Sequence, residues 1–185
     1  MYRPTYTGTH ALLIGIDTYT NVASLEYARS DAEAIAEVLR GLAFPEENIQ
    51  LLLDEDATRE AILSSFLRFA HGHISEDDRI LFFFAGHGFT CTGRRGEVGY
   101  LVPVDGDPVR LESLLRWDDL TRNADLVKAK HLLFIMDACY GGLVLTRSPG
   151  PGSMRFLKDM LQRYARQVIT AGKADDLMTS IIAID

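Results

Sequence analysis

The sequence predicts an α/β fold in which helices cover both faces of a mostly parallel central sheet. Short apolar runs of strand length alternate along the chain with segments whose apolar residues recur at helical spacing. This alternation is typical of right-handed βαβ units. In addition, two of the apolar runs end in glycine-marked segments that carry a reactive side chain, His87 in one and Cys139 in the other. Ligands of open α/β sheets bind at this carboxyl edge of the strands.

The composition indicates one ordinary globular domain, with 185 residues of which 47% are hydrophobic and 24% charged. The net charge is -7 and the basic residues are scattered, so no nucleic acid partner is expected. No apolar stretch approaches the roughly 20 residues of a spanning helix. No signal-peptide pattern opens the chain. We therefore expect no membrane association and a cytoplasmic location.

The strands are predicted from the apolar runs. Five such runs predict buried strands, at residues 11–16, 48–53, 79–85, 131–136 and 167–171. A shorter extended piece is predicted at 98–104, after a polar, glycine-marked loop that contains Cys91. Because Cys91 and Cys139 are the only two cysteines, a disulfide framework and a sulfur-rich zinc site are both excluded. We expect both to be reduced thiols.

The helices are predicted from their caps and periodicity. Ser30 and Glu33 have the spacing of a capping box, which predicts the start of the first crossover helix. Thr58 is placed to cap the second helix. Further helices are predicted after residue 118 and over 156–161.

The two reactive side chains suit nucleophilic catalysis. A thiol is only a few per cent thiolate at neutral pH, so a nucleophilic cysteine needs an imidazole or a helix amino end nearby. His87 and Cys139 come from strand ends that a parallel sheet brings to one edge. The flanking glycines let a substrate backbone approach, and the N–H groups of Gly88 and Cys139 can face an oxyanion. Alternatively, Cys139 is a small buried apolar residue and His87 a hydrogen-bonded loop histidine.

These residues resemble the caspase-like cysteine peptidases. In that superfamily a strand ends in His-Gly, and about 50 residues later another strand ends in the nucleophilic cysteine, which is the spacing of His87 and Cys139. The segment Asp-Ala-Cys-Tyr-Gly at 137–141 is closer to metacaspases and their bacterial relatives, the orthocaspases, than to animal caspases. Residues 12–31 also resemble the metacaspase opening strand and first helix. Residues 99–105 resemble the Leu-Val-Pro-x-Asp segment that follows the histidine.

The resemblance implies a caspase-like three-layer αβα sandwich and a cysteine endopeptidase that acts on protein substrates. It implies that His87 is the general base and acid, Cys139 the nucleophile, and the amides of Gly88 and Cys139 the oxyanion hole. It also implies that Asp31 and Asp137 line the pocket for the side chain before the scissile bond. Two carboxylates suit a guanidinium or ammonium, so cleavage after Arg or Lys is expected. Bacterial relatives are linked to stress responses and defence.

The specificity assignment has two alternatives. In the first, Asp31 is only a first-turn residue favoured by the helix dipole, and Asp137 only accepts hydrogen bonds from loop amides. In the second, Arg29 points into the pocket, and the enzyme prefers acidic residues as animal caspases do.

No cofactor or metal is expected. Asp118 and Asp119 resemble part of the acidic cluster by which many metacaspases bind calcium. However, residues 93–97 are Gly-Arg-Arg-Gly-Glu, with two arginines where carboxylates would be wanted. Since calcium needs six to eight oxygen ligands, calcium independence is favoured. His71 and His73 lie near a helix end and are expected to be solvated.

The resemblance divides the chain into four regions. They are an arm over residues 1–9, a catalytic large-subunit region over 10–146, a linker and helix over 147–165, and the start of a small-subunit region over 166–185. Caspase-like domains extend further than this, so the small-subunit region is expected to be incomplete. Either a separate small-subunit chain supplies the rest, or the sheet is completed differently. Basic residues in the linker predict activation by cleavage there, by the chain itself or by an activating protease.

Two other classes of function fit the sequence less well. A catalytically silent, caspase-like adaptor or subunit would suit the short carboxyl-terminal region, but the paired histidine and cysteine argue against it. A flavodoxin-like nucleotide binder is disfavoured because the chain has neither a Walker-type lysine motif nor G-x-G-x-x-G.

Overall fold

A computed structural model describes residues 6–94, 96–139, 167–170 and 182–183. In chain order the helices and strands are β1 (Thr9–Gly15), α1 (Ala28–Gly41), β2 (Ile49–Leu53), α2 (Arg59–His71), β3 (Arg79–Gly93), β4 (Gly96–Leu101), β5 (Leu115–Arg116), α3 (Trp117–Ala124), β6 (His131–Cys139), β7 (Gln167–Thr170) and β8 (Ile182–Ala183). Among the helices described, none has the length and apolar character that a membrane crossing requires.

The strands form one mixed sheet in the order β2-β1-β3-β6-β7-β8. The pairings from β2 to β7 are all parallel, and β8 runs antiparallel to β7. The far end of β3 turns back into β4, which pairs in turn with β5, so these strands form an antiparallel extension. The predicted α/β fold with a mostly parallel sheet is confirmed.

Buried apolar side chains point alternately to the two faces of the sheet, and each face carries a hydrophobic core. Leu12 and Ile14 of β1 pack in the core that α2 and α3 cover. Ala11 and Leu13 of the same strand pack on the opposite face, against α1. Because successive strand residues point to opposite faces, one apolar run serves both cores. The result is the predicted αβα sandwich.

The prediction that the third strand ends at Ala85 is wrong. β3 continues to Gly93 because its partner changes: it pairs with β6 up to His87 and with β4 from Gly88 onward. Cys91 therefore lies within β3, opposite Val98, and not in a loop. Long-range pairing keeps these polar residues extended, although they carry no periodic apolar signal.

The capping box predicted for the first helix is also wrong. α1 begins at Ala28, and the Ser30 hydroxyl donates to the carbonyl of Tyr27 without capping an N–H group. The carboxylate of Asp17 caps the helix from outside, since it accepts from the N–H of Ala28 at 2.8 Å and of Arg29 at 3.3 Å. Four N–H groups at a helix start lack intrahelical partners, and a carboxylate there is favourable. By contrast, the predicted Thr58 cap of α2 is confirmed by a 3.1 Å bond from the N–H of Ala61.

The carboxyl-terminal predictions are tested only in part. β7 falls where the fifth buried strand was predicted. The predicted linker and helix over 147–165, with their cleavage site, lie outside the described residues.

Candidate active site

The two proposed catalytic residues lie opposite each other on neighbouring strands. β3 and β6 pair in parallel from Arg79 and His131 onward, and the last pair of the ladder is His87 with Cys139. Neighbouring strands are about 4.8 Å apart. Cys139 is also the last residue of β6, at the carboxyl edge of the sheet. The register therefore brings the backbone positions of the predicted dyad together at the edge where α/β proteins bind ligands.

The His87 ring is held in one tautomer. Its Nε2 lies 2.8 Å from the carbonyl oxygen of Ala23. A carbonyl can only accept a hydrogen bond, so Nε2 carries the hydrogen. In the neutral ring Nδ1 is then the basic nitrogen, with its lone pair available. This half-buried imidazole is thus set up to take a proton at Nδ1.

Sequence reasoning missed the loop that holds His87. Tyr19 and Ala23 both lie between β1 and α1, and both contact His87. The available signal was topological: this loop leaves the carboxyl end of a predicted strand, at the same edge of the sheet as His87. The loop contacts His87 because β1 and β3 are neighbours in the sheet, which the sequence alone does not specify.

Strand geometry directs the N–H of Gly88 toward the β6 side of β3. The carbonyl of Ala85 accepts from the N–H of Ile16, and that of His87 accepts from the N–H of Val102, so both point away from β6. The backbone groups of successive strand residues alternate between the two edges. The Gly88 amide consequently faces the side on which β6 carries Cys139, as an oxyanion donor requires.

Of the two predicted pocket carboxylates, Asp31 lies close enough to Asp137 to raise its pKa. Loss of solvation and the negative charge of Asp31 raise the pKa of Asp137. Asp137 pairs in register with Ala85, which packs against α1, and Asp31 lies in the first turn of that helix. A cation bound between the two carboxylates would offset this repulsion.

Arg29 forms ion pairs with carboxylates other than Asp31 and Asp137. Its guanidinium donates to Glu33 at 3.2 Å and to Asp54 at 3.2 Å. The alternative in which Arg29 points into the pocket and selects acidic substrates finds no support in these contacts.

Asp54 ties the loop after β1 to the rest of the fold. This carboxylate is only 7% exposed and accepts from the N–H groups of Asp17 and Thr18, both at 2.9 Å, in addition to Arg29. Burial alone would raise the pKa of Asp54, but these hydrogen bonds outweigh it and lower the pKa. The stability that Asp54 contributes is thus present above the ordinary carboxyl pKa and is lost as the pH falls through the lowered value.

We expect Asp54→Ala to lower the free energy of unfolding by about 2–4 kcal/mol, because it leaves two N–H groups and a guanidinium without their acceptor. Asp54→Asn should cost less, since its amide oxygen can still accept. Asparagine also tolerates the left-handed φ of 42° at this position. Urea denaturation at pH 7 measures both variants. Equal losses in the two would show that the charge alone matters and not the acceptor geometry.

One of the two residues suspected of binding calcium contacts an arginine instead. Asp118 accepts a 2.7 Å hydrogen bond from Arg116. Within the described part of the chain, no three His, Cys, Asp or Glu side chains converge as metal ligands would. Calcium independence stays a prediction.

Comparison with known protein families agrees with the observed fold. Residues 9–180 match the family model described as the caspase domain. This chain belongs to the caspase-domain family. The caspase-like recognition is therefore confirmed, and the family supports a cysteine peptidase. The particular closeness to metacaspases and orthocaspases stays a prediction.

Among the solved structures that resemble this chain, two illustrate the shared fold. Protein GSU0716 from Geobacter sulfurreducens is 16% identical with a TM-score of 0.62, over 89% of this chain and 72% of that one. The structure of pro-sf-caspase-1 is 17% identical with a TM-score of 0.55, over 91% of this chain and 64% of that one. At these identities the likeness concerns the fold. No curated protein sequence matches this caspase-family chain.

Proposed function

We propose that this caspase-family chain is a cysteine endopeptidase that uses Cys139 and His87 to cleave proteins after Arg or Lys. The observation that carries the proposal is the in-register pairing of these two residues at the end of the β3–β6 ladder. The hydrogen bond from Nε2–H to Ala23 supports it, because it leaves Nδ1 as the basic nitrogen.

The proposed reaction proceeds through an acyl-enzyme. His87 takes the thiol proton, and the Cys139 sulfur attacks the carbonyl carbon of the scissile bond to form a C–S bond. The N–H groups of Gly88 and Cys139 stabilise the resulting oxyanion. The C–N bond then breaks as the imidazolium gives its proton to the leaving amine. Water, deprotonated by His87, attacks the thioester, which releases the carboxylic acid product and returns the thiol.

The specificity follows from Asp31 and Asp137. Loss of solvation and the negative charge of Asp31 both raise the pKa of Asp137. An Arg side chain of the substrate would bind both carboxylates through its planar fork, and Lys would bind as a point charge. We propose that the protein is cytoplasmic and independent of calcium. We further propose that cleavage within residues 147–165 activates the enzyme.

A peptide-library cleavage profile tests this function. Peptides ending in Arg or Lys before a fluorogenic amide should be hydrolysed at least about 100-fold faster than those ending in Asp, since an acidic side chain beside two carboxylates costs several kcal/mol. The Cys139→Ala protein, assayed in parallel, sets the blank. A preference for Asp would show that the pocket is assigned wrongly. No hydrolysis above the blank with any peptide would favour the adaptor function.

A further inference from the structure

Tyr19 makes two contacts with His87. Its hydroxyl accepts a 2.8 Å hydrogen bond from the backbone N–H of His87. Its ring lies against the imidazole, with 4.9 Å between the ring centroids and a 47° tilt between the planes. The tyrosine is only 8% exposed. The backbone and the ring of His87 are therefore both held by one buried side chain.

The Tyr19 hydroxyl accepts a hydrogen bond from a backbone N–H that no described strand of the sheet pairs, that of His87. β1 ends at Gly15, opposite Ala85, and β4 begins to pair only at Gly88. The N–H of His87 falls between these two ladders. A buried N–H without an acceptor would be costly, and the Tyr19 hydroxyl is the acceptor it finds. Burial raises the pKa of Tyr19, so the hydroxyl remains neutral and adds no charge beside the imidazole.

Gly86 makes room for this hydroxyl. A Cβ atom at position 86 would lie 2.5 Å from the Tyr19 oxygen, as well as 3.0 Å from the ring of Phe84. Any residue other than glycine would therefore push Tyr19 out of its hydrogen bond. The glycine before the histidine serves this contact and not chain flexibility, because the segment is regular strand.

Tyr19 is itself anchored on both sides. The preceding amides of Asp17 and Thr18 are bound by the buried carboxylate of Asp54. The following amide, of Thr20, donates to the carbonyl of Val104 at 3.1 Å. Because the backbone before and after Tyr19 is already fixed, its hydrogen bond has less loss of conformational entropy to offset. Tyr19 can thus impose its position on His87.

We propose that Tyr19 is a positioning residue for the general base. It keeps His87 at the position in strand β3 that lies opposite Cys139, so that Nδ1 can take the thiol proton. This inference rests on the proposed cysteine peptidase activity. The Tyr19 hydroxyl binds the backbone N–H of His87 and takes no proton in the reaction. Its effect is to keep His87 in one place, and effective molarity falls quickly when a catalytic group is misplaced.

Tyr19→Phe is the direct test, because it keeps the ring and removes only the hydroxyl. With Arg-ended fluorogenic peptides we expect kcat to fall about tenfold, the effect of one lost hydrogen bond to a buried donor, with KM unchanged. Alkylation of Cys139 by iodoacetamide at pH 6, followed by peptide mass spectrometry to separate it from Cys91, should slow by a similar factor. This second readout reports the cysteine–histidine pair without any substrate.

Gly86→Ala tests the same contact from the other side. It should lower kcat comparably, and the double variant Tyr19→Phe/Gly86→Ala should lose no more than the worse single variant. Effects that act through one contact are not additive. If the two losses multiply, Tyr19 and Gly86 act separately and the proposal is wrong.

Ile80→Val controls for a loss of stability alone. Ile80 is buried in β3, seven residues before His87 or about 23 Å along the strand. This variant should lower the thermal midpoint while kcat stays at the wild-type value. Wild-type kcat in Tyr19→Phe, or a loss matched by Ile80→Val at equal thermal midpoint, would overturn the positioning role. Wild-type protein that hydrolyses no peptide would instead overturn the proposed function, and the alkylation rates would still test Tyr19.

Discussion

Replacing His87 by alanine is expected to reduce kcat for Arg-ended peptide amides by about 1,000-fold, within the range that a general acid–base contributes. Without the imidazole, the Cys139 thiol is mostly protonated at pH 7 and the leaving amine has no proton donor. KM should change little, because His87 is not proposed to bind the substrate side chain. Steady-state hydrolysis of a fluorogenic peptide amide measures the effect, with Cys139→Ala as the blank.

Substrates with different leaving groups distinguish the two proposed roles of His87, as the base for the thiol and as the acid for the leaving group. A nitrophenyl ester needs no proton on its leaving oxygen, and at pH 9 much of an ordinary thiol is thiolate. In His87→Ala, the burst of nitrophenolate from an Arg ester should therefore recover at pH 9, whereas amide hydrolysis should not. His73→Ala is the matched control, since that imidazole is exposed after α2 and should leave both activities unchanged. Equal recovery of ester and amide would mean that His87 does not protonate the leaving group.

The sequence could predict the core and the chemistry of the site because both depend on local signals. The apolar runs at 79–85 and 131–136 predict two buried strands, and both form. The pairing of those strands with each other is not a local signal, because no residue in either run specifies its neighbour. The family resemblance supplied that link, and the register of His87 with Cys139 agrees with it.

The errors share one physical cause, which is that a distant residue decided the local structure. α1 starts before the capping box because the Asp17 carboxylate, eleven positions before Ala28, binds the first N–H groups. β3 runs past Ala85 because β4 pairs with it. Tyr19 escaped notice because its partner lies 68 positions away along the chain. A polar side chain that binds a backbone group far away along the chain does not recur at a regular spacing, so no sequence pattern predicts the contact.

Asp137→Asn is expected to raise the stability of the fold while it lowers activity. The pKa of Asp137 in the folded protein is raised by loss of solvation and by Asp31, so folding disfavours its ionised form. At pH 7 the charge is therefore a destabilising feature, and removing it should raise the thermal midpoint. The gain should shrink as the pH falls through the raised pKa, because the wild-type carboxyl then becomes neutral as well. Thermal melts of both proteins at pH 7 and pH 5 measure this.

The same substitution should lower kcat/KM for Arg-ended peptides by about tenfold, since it removes one of the two negative charges offered to the substrate cation. In the wild-type enzyme, kcat/KM for these peptides should begin to fall at a higher pH than an ordinary carboxyl would cause, because substrate binding needs Asp137 ionised. Glu112→Gln, the same change at an exposed position, should alter neither activity nor its pH dependence. If Asp137→Asn stabilised the protein and left kcat/KM intact, the carboxylate pair would be a strained surface feature and the basic specificity would have to come from other residues.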